Sequence, residues 1–360
     1  MRLERLILRG FRNLEETDRA VPREGAALLG RNGQGKTNLL EAIYYPVLFR
    51  SLRGGADGEV AAFGGSGFHV GAVVAADRAP LEIAATYQNA GKRKRISVNG
   101  ADTPRLADAV GQWMAVAFTP GDVGLASGPA AERRHYLDRM LSLADRGYLH
   151  ALSRYRAALA QRNSALRQDR PAMVDAFDAP LSAAGAVVVA GRLRWLERAG
   201  PRFAAELDGL GESGCGVLRY HGPAALADPA AWHEALEHAR PRDRARGLTT
   251  VGPHRDDVIL EVGGRELRAF GSTGQQRSAA IALKLVELDT LAEARGIQPA
   301  LLLDDVFAEL DLERQRRLAS RLVQPDVRQV FVTAPRPDEL PEVVHLPRWR
   351  VEAGKVSDRW

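Results

Sequence analysis

One run of eight residues constrains this chain more than any other: Gly30-Arg31-Asn32-Gly33-Gln34-Gly35-Lys36-Thr37. It matches G-x-x-x-x-G-K-[ST]. It also stands where that pattern has chemical meaning, between an apolar run ending at Leu29 and a helically spaced stretch from Lys36 to Leu48. Glycines let backbone N–H groups turn inward around an anion, and the helix that follows offers the positive end of its dipole. Lys36 would reach the β- and γ-phosphates of ATP as a compact point charge, and the Thr37 hydroxyl would ligate Mg²⁺. Gly30 through Thr37, with the adjoining Asn38, are the expected ATP-binding residues.

A phosphate loop needs a carboxylate at the end of a neighbouring strand to hold the metal. Leu301-Leu302-Leu303-Asp304-Asp305 fits, an apolar run followed by two acids. Asp304 is expected in the Mg²⁺ shell and Asp305 as the catalytic general base that polarises the attacking water. Glu309-Leu310-Asp311 follows just before a helical stretch, which Asp311 could cap. A third element, Phe270-Gly271-Ser272-Thr273-Gly274-Gln275-Gln276-Arg277-Ser278, opens a long helix. Ser272, Gly274 and Gln275 form a second anion-binding helix start, which one active site does not need. It makes sense if that turn closes over the γ-phosphate held by another subunit, which predicts a symmetric dimer with two ATPs between the protomers. The plain alternative is an ordinary Ser/Gly helix cap.

The rest of the chain sorts by texture. Leu6–Leu8 and Ala26–Leu29 read as two strands, and Pro46 is expected to kink or end the helix after the loop. Residues 54–118 alternate and read as β-rich, with Asn89 through Arg95 as a turn into Ile96–Val98. From about 129 to 246 helical spacing takes over. From Gly252 onward strands and helices alternate, including Val258–Leu260 as a strand, which implies a mostly parallel sheet covered by helices. The expected organisation is an α/β ATPase domain formed by both chain ends, 1–128 with 250–360, and a mainly helical arm at 129–249.

Several classes are excluded. A single cysteine, Cys215, rules out a disulfide framework or a cysteine metal cluster and fits a reducing, cytoplasmic setting. The N-terminal MRLERLILRGFRN has no signal-peptide core, and no stretch reaches 18 uncharged apolar residues, so no membrane span is expected. The net charge of +5 is small, but 45 of the 50 basic residues are arginine. An arginine preference on that scale can reflect no more than the coding bias of the source genome; a position left as lysine is then either accidental or chemically required, and Lys36 is the one the phosphate chemistry requires. Two places concentrate positive charge suited to DNA phosphates: Lys92-Arg93-Lys94-Arg95, and the arm, including Arg133 and Arg134. A solvated turn and an ordinary helix surface are the competing readings. His254-Arg255-Asp256-Asp257 reads as an ion-paired turn before a metal cluster.

The combination of GRNGQGKTN, STGQQRS and LLLDDVFAELD resembles the ABC-type ATPases of the SMC/Rad50 group, and within it the RecF family of recombination and repair ATPases. Leu8 through Asn13, Pro129 through Asp138 and Gly252 through Asp257 also resemble family segments, so the likeness runs over nearly the whole chain. It implies an ABC-type domain with an inserted arm too short for a long coiled coil. It also implies ATP-dependent dimerisation and DNA binding, weak DNA-dependent ATP hydrolysis that releases the DNA, and cooperation with RecR and RecO in loading RecA at gaps. Glu309 and Asp311 take the D-loop place. There are departures: a proline at position 46, no glutamine between Phe118 and Asp122 where a Q-loop is expected, and Thr333 where such ATPases carry a switch histidine. A transporter ATPase subunit shares the three motifs. The signature of this chain, however, lies about 235 residues beyond Lys36, and its insert is basic.

Overall fold

The structure, a computed structural model, describes residues 1–76, 79–212, 214–307, 312–323 and 328–358. The chain divides into two compact units, Met1–Gly121 with Gly296–Trp360, and Asp122–Arg295.

The first unit opens with β1 (Arg2–Arg9), β2 (Thr17–Ala20), β3 (Gly25–Leu29), α1 (Lys36–Leu48) and a short α2 (Asp57–Val60). It continues through β4 (Gly67–Ala75), β5 (Leu81–Gln88), β6 (Arg93–Val98), β7 (Ala101–Asp102), α3 (Leu106–Ala109) and β8 (Ala115–Phe118).

The second unit holds α4 (Gly124–Ser127), α5 (Ala130–Ala144), α6 (Arg146–Arg167), α7 (Pro171–Gly209), β9 (Gly216–His221) and α8 (Ala231–Arg246). It then adds β10 (Asp257–Val262), β11 (Arg265–Glu266), α9 (Leu267–Phe270) and α10 (Thr273–Arg295). The chain returns to the first unit with β12 (Ala300–Leu303), α11 (Leu312–Leu322), β13 (Val330–Ala334), β14 (Arg348–Glu352) and β15 (Lys355–Ser357).

Two six-stranded sheets build the first unit. One is antiparallel, in the order β2-β1-β4-β5-β6-β7. The other runs β15-β14-β3-β13-β12-β8, and its β14, β3, β13, β12 and β8 are parallel. Strands β3, β12 and β13 are buried along their whole length, as strands covered on both faces must be. Helix α1 packs against β4 and β5 of one sheet and β8 and β13 of the other. That position explains why nearly all its residues from Leu39 to Val47 are buried and why it lacks a polar face. Pro46, expected to kink or end α1, lies inside it. The helix runs on to Leu48 and stops at Phe49, whose φ of 54° carries an N–H onto the Tyr45 carbonyl at 2.7 Å. Phe11, Tyr45, Phe68 and Tyr87 fill the space between α1 and the antiparallel sheet with edge and stacked ring contacts.

The second unit is helical around α7, which packs on α6, α10 and β9. Two expectations change here. The return boundary falls at Gly296 rather than 250, because α10 packs on α4, α5 and α7 and belongs to this unit. Val258–Leu260 lie in β10, but β10 pairs antiparallel with β9 and β11 in a separate small sheet and not in the parallel one. Finally, α7 is long and apolar enough to cross a membrane by length and composition. Its Leu181, Val188 and Val189 are fully buried inside the unit, and mid-helix Arg192 is buried on the Asp138 carboxylate at 2.8 Å. The helix therefore reads as a core element of the second unit.

Candidate ATP-binding and hydrolysis site

The strand order β3-β13-β12 decides what meets at the carboxyl edge of the parallel sheet. Leu29, Ala334 and Leu303 end adjacent strands, so the phosphate loop, Thr333 and the Asp304–Asp305 pair emerge side by side. The first glycine of the loop, Gly30, answers a packing demand: a Cβ there would sit 2.1 Å from the Val351 carbonyl oxygen of β14. Gly35 is the cap of α1, with φ 113° and no side-chain acceptor, and the first turn of the helix carries no acid. The helix start thus lacks the internal anion that usually caps one, which suits it to an external phosphate. Arg31, Asn32 and Gly33 are exposed at the tip.

Lys36 is 5% exposed, with Nζ donating to the loop carbonyls of Gly30 at 2.5 Å and Arg31 at 3.2 Å. Burial pulls its ammonium below the ordinary lysine value, while Asp305 and Asp304 pull it back up. The Thr37 hydroxyl donates to Asp304 Oδ1 at 2.9 Å. A hydroxyl and a carboxylate at that spacing are hard oxygen donors, the set Mg²⁺ takes together with substrate phosphates. Burial raises the Asp304 carboxyl above the ordinary range against the pull of Thr37, Thr333 and Lys36. A divalent cation there would offset that cost.

Thr333 is a component that sequence reasoning left without a role. Its hydroxyl lies 3.0 Å from Asp304 Oδ1 and 3.1 Å from Asp305 Oδ1, and it accepts the Asp305 N–H at 2.9 Å. Asp305 has φ 47°, a left-handed conformation costing about 1–2 kcal/mol in a residue with a Cβ. The Thr333 bond holds that turn, so one buried hydroxyl orients both acids. Two signals marked the position in the sequence: Thr333 stands where such ATPases carry a switch histidine, and it is a polar residue inside the buried run Val330–Ala334.

Two of the expected nucleotide residues are engaged with protein. Gln34 Oε1 accepts the Ala353 N–H at 2.7 Å and its carbonyl accepts Gly354 N–H at 2.9 Å, tying the loop to the β14–β15 hairpin. Asn38 Nδ2 donates to Asn13 Oδ1 at 2.6 Å, and its Oδ1 accepts from Arg53. Arg53 also reaches Glu41 at 2.6 Å, with Arg12 at 3.0 Å and Ser51 at 2.5 Å. Burial alone would raise the Glu41 carboxyl, but these three donors outweigh it and hold it below the usual range. Sequence reasoning missed this carboxylate, although a glutamate inside the apolar spacing of α1 was a visible signal. Glu309 and Asp311 lie outside the described residues.

In the second unit, Ser272, Thr273 and Gly274 are exposed at the start of α10. Ser272 Oγ accepts the Gln275 N–H at 3.2 Å while Gln275 Oε1 accepts the Ser272 N–H at 3.0 Å. This is a reciprocal capping box. It commits the Gln275 side chain to the helix start and leaves Ser272–Gly274 facing outward. Phe270, just before it, is exposed as well.

The basic candidates separate. Arg93 through Arg95 are in β6 and not in a turn, so their side chains alternate. Lys94 points inward, onto Asp57 at 2.7 Å and the Phe49 carbonyl at 2.7 Å, and is no surface cation. Lys92, Arg93 and Arg95 are exposed, Arg95 with Asp102 at 2.5 Å. Arg133 must be withdrawn as a DNA contact: it is 4% exposed and grips Asp257 with two bonds of 2.7 Å. Arg134 is half-buried and donates to the Asp256 carbonyl at 2.8 Å. His254 is a structural residue, with Nε2 on the Thr249 carbonyl at 2.9 Å and Nδ1 on the Tyr155 hydroxyl at 2.6 Å. Among the described residues no cluster of three His, Cys, Asp or Glu could hold a metal.

Comparison with known proteins places this geometry. No family model matches the chain. The DNA replication and repair protein RecF of Geobacter sp. (strain M21) is 36% identical, covering 99% of this chain and 100% of the relative. Its counterpart in Chloroflexus aurantiacus is also 36% identical over 99% of both. A solved structure of the recombination mediator protein RecF with ATP, in the RecFOR pathway, superimposes with a TM-score of 0.90 at 30% identity, covering 99% and 96% of the two chains. An SMC head bound to the C-terminal winged-helix domain of ScpA shares the fold, with a TM-score of 0.57 at 15% identity.

Proposed function

The chain belongs to the RecF family, and from that premise we propose that it is an ATP-gated DNA-binding protein of recombinational repair. The observation that carries the reading is the cluster of Lys36, Thr37, Asp304, Thr333 and Asp305 at one sheet edge. Magnesium, when bound, would neutralise phosphate charge at Thr37 and Asp304. Lys36 would leave its two loop carbonyls for the β- and γ-phosphates. Asp305, held by Thr333, would take the proton of the attacking water.

The exposed Ser272–Gly274 turn would complete the site of a second protomer, so ATP bound first by one phosphate loop would drive dimerisation. Hydrolysis would be weak, DNA-dependent, and would release the DNA. Aspartate in the base position is one methylene shorter than the glutamate of fast transporter ATPases, which suits slow turnover. With partners corresponding to RecR and RecO, the dimer would help load RecA at gaps, acting in the cytoplasm. Lys92, Arg93 and Arg95 are the DNA contacts supported by exposure, with a part for half-buried Arg134.

Duplex-DNA binding across a salt series tests the reading. Affinity should appear only with Mg²⁺ and ATP and fall about tenfold or more between 50 and 200 mM salt, the mark of several phosphate contacts. DNA binding indifferent to ATP would contradict it.

A further inference from the structure

Two backbone N–H groups converge on Gln34 from outside the phosphate loop. Strand β14 pairs with β3 as far as Arg350 opposite Leu29, so its next residues run past the end of β3 and alongside the loop. Glu352 pairs with Lys355, which leaves a two-residue turn, Ala353-Gly354, with φ of 50° and 86°. The central N–H groups of such a turn have no place in the ladder of their own hairpin and are free for acceptors elsewhere. Here both meet the same residue. Ala353 N–H donates to Gln34 Oε1 at 2.7 Å, and Gly354 N–H donates to the Gln34 carbonyl at 2.9 Å. The turn is itself seated: the Gly354 carbonyl accepts the Glu15 N–H at 3.0 Å, and a Cβ on Gly354 would stand 1.9 Å from the Asn13 carbonyl oxygen.

The peptide plane gives this clamp a chemical consequence. In a trans peptide the carbonyl and the following N–H point opposite ways. The Gln34 carbonyl faces the hairpin, so the Gly35 N–H faces away from it, and among the described residues no acceptor takes that N–H. Gly35 is the cap of α1, one residue before Lys36, where an anion is favoured. We propose that the Ala353-Gly354 turn braces the nucleotide site and that Gln34 is a positioning residue: held by its side chain and its carbonyl, it fixes the 34–35 peptide so that the Gly35 N–H meets a phosphate oxygen of the bound nucleotide. This rests on the ATP-binding reading above and adds the β14–β15 hairpin to the site. Gln34 acts from outside the loop, with its Oε1 committed to Ala353 and not to a phosphate.

Calorimetric titration of the full chain with Mg-ADP tests this, since ADP needs one phosphate loop and no second protomer. Gln34→Met keeps the length of the side chain and removes its acceptor oxygen, and should weaken Mg-ADP by about 3- to 10-fold. Steady-state hydrolysis should show the same factor in the KM for ATP, with kcat within about twofold of wild type. Gly354→Ala drives the turn off Asn13 and should weaken Mg-ADP by about tenfold or more. Because Gln34 acts through that turn, the double variant should bind within about twofold of Gly354→Ala alone. Wild-type affinity in Gln34→Met would overturn the inference. So would a reduced binding stoichiometry at unchanged Kd, the mark of a merely structural residue. Independent, multiplied losses in the double variant would also overturn it, since the Gln34 side chain would then contact the nucleotide directly. If Gly354→Ala fails to fold, the Kd, KM and kcat of Gln34→Met decide alone. No Mg-ADP binding by wild type would overturn the ATP reading itself.

Discussion

Thr333 shows how much a single hydroxyl can organise. It lies within hydrogen-bond distance of Asp304 and Asp305 and fixes the left-handed turn between them. Thr333→Val keeps the shape and removes those bonds. It is expected to lower kcat by about 10-fold or more with ATP affinity within a few-fold of wild type, read by single-turnover hydrolysis beside nucleotide binding. His254 gives a pH-dependent counterpart. Burial pushes its pKa down to about 4, and the ring accepts from Tyr155 while donating to Thr249. Because the folded value lies below the unfolded value of about 6.5, its stabilisation is complete above pH 6.5 and is lost as pH falls towards 4. The loss should amount to about 3 kcal/mol. Urea unfolding at pH 7.5 and 4.5 should show part of that loss, and His254→Gln should flatten it. The motif residues were visible as candidates because phosphate chemistry forces type and spacing at Lys36, Thr37 and Asp304. Thr333 and Glu41 were not, since their roles come from strands and helices brought together by the fold.

At the scale of elements, the sheet edge and the α10 start behave differently. The elements around the phosphate loop are fixed by internal bonds, from Gln34 to Ala353 and from Asn38 to Asn13. The α10 start is capped by Ser272 and Gln275 and otherwise faces solvent, with Phe270 exposed beside it. An exposed aromatic next to a signature turn is well suited to the core of an interface. Phe270→Asp should weaken ATP-induced dimerisation by at least tenfold while leaving ATP binding within a few-fold, measured by concentration-dependent sedimentation. The elements were read from sequence with mixed outcome. Helical spacing gave α6, α7, α10 and α11, because apolar periodicity is a local property. The partners of β10 were misjudged, since a short apolar run carries no information on which strand it will join. The basic run at 92–95 was misread in the same way: β6 starts at Arg93, and pleating turns Lys94 inward onto Asp57.

At the scale of the whole molecule, the chain is two compact units. The second unit encloses Arg133–Asp257, Arg192–Asp138 and Arg162–Asp243. Removing one member of such a pair leaves a buried charge and costs about 3–5 kcal/mol. These arginines therefore belong to stability, and the net charge of the arm overstates what it can offer DNA. A change of texture near residue 129 was visible in the sequence, but the return boundary at Gly296 was not, because α10 carries a family motif on a helix that packs with the arm.

On the proposed function, ATP joins two copies of this chain, the phosphate loop of one meeting the Ser272–Gly274 turn of the other. Sedimentation velocity of Asp305→Asn with Mg²⁺ and ATP tests it most directly, since that substitution should block proton transfer and preserve binding. A stable dimer is expected that persists while ATP remains, reverts to monomer when ATP is withdrawn and is absent in Lys36→Ala. A protein that binds ATP yet sediments as a monomer at micromolar concentration would contradict it.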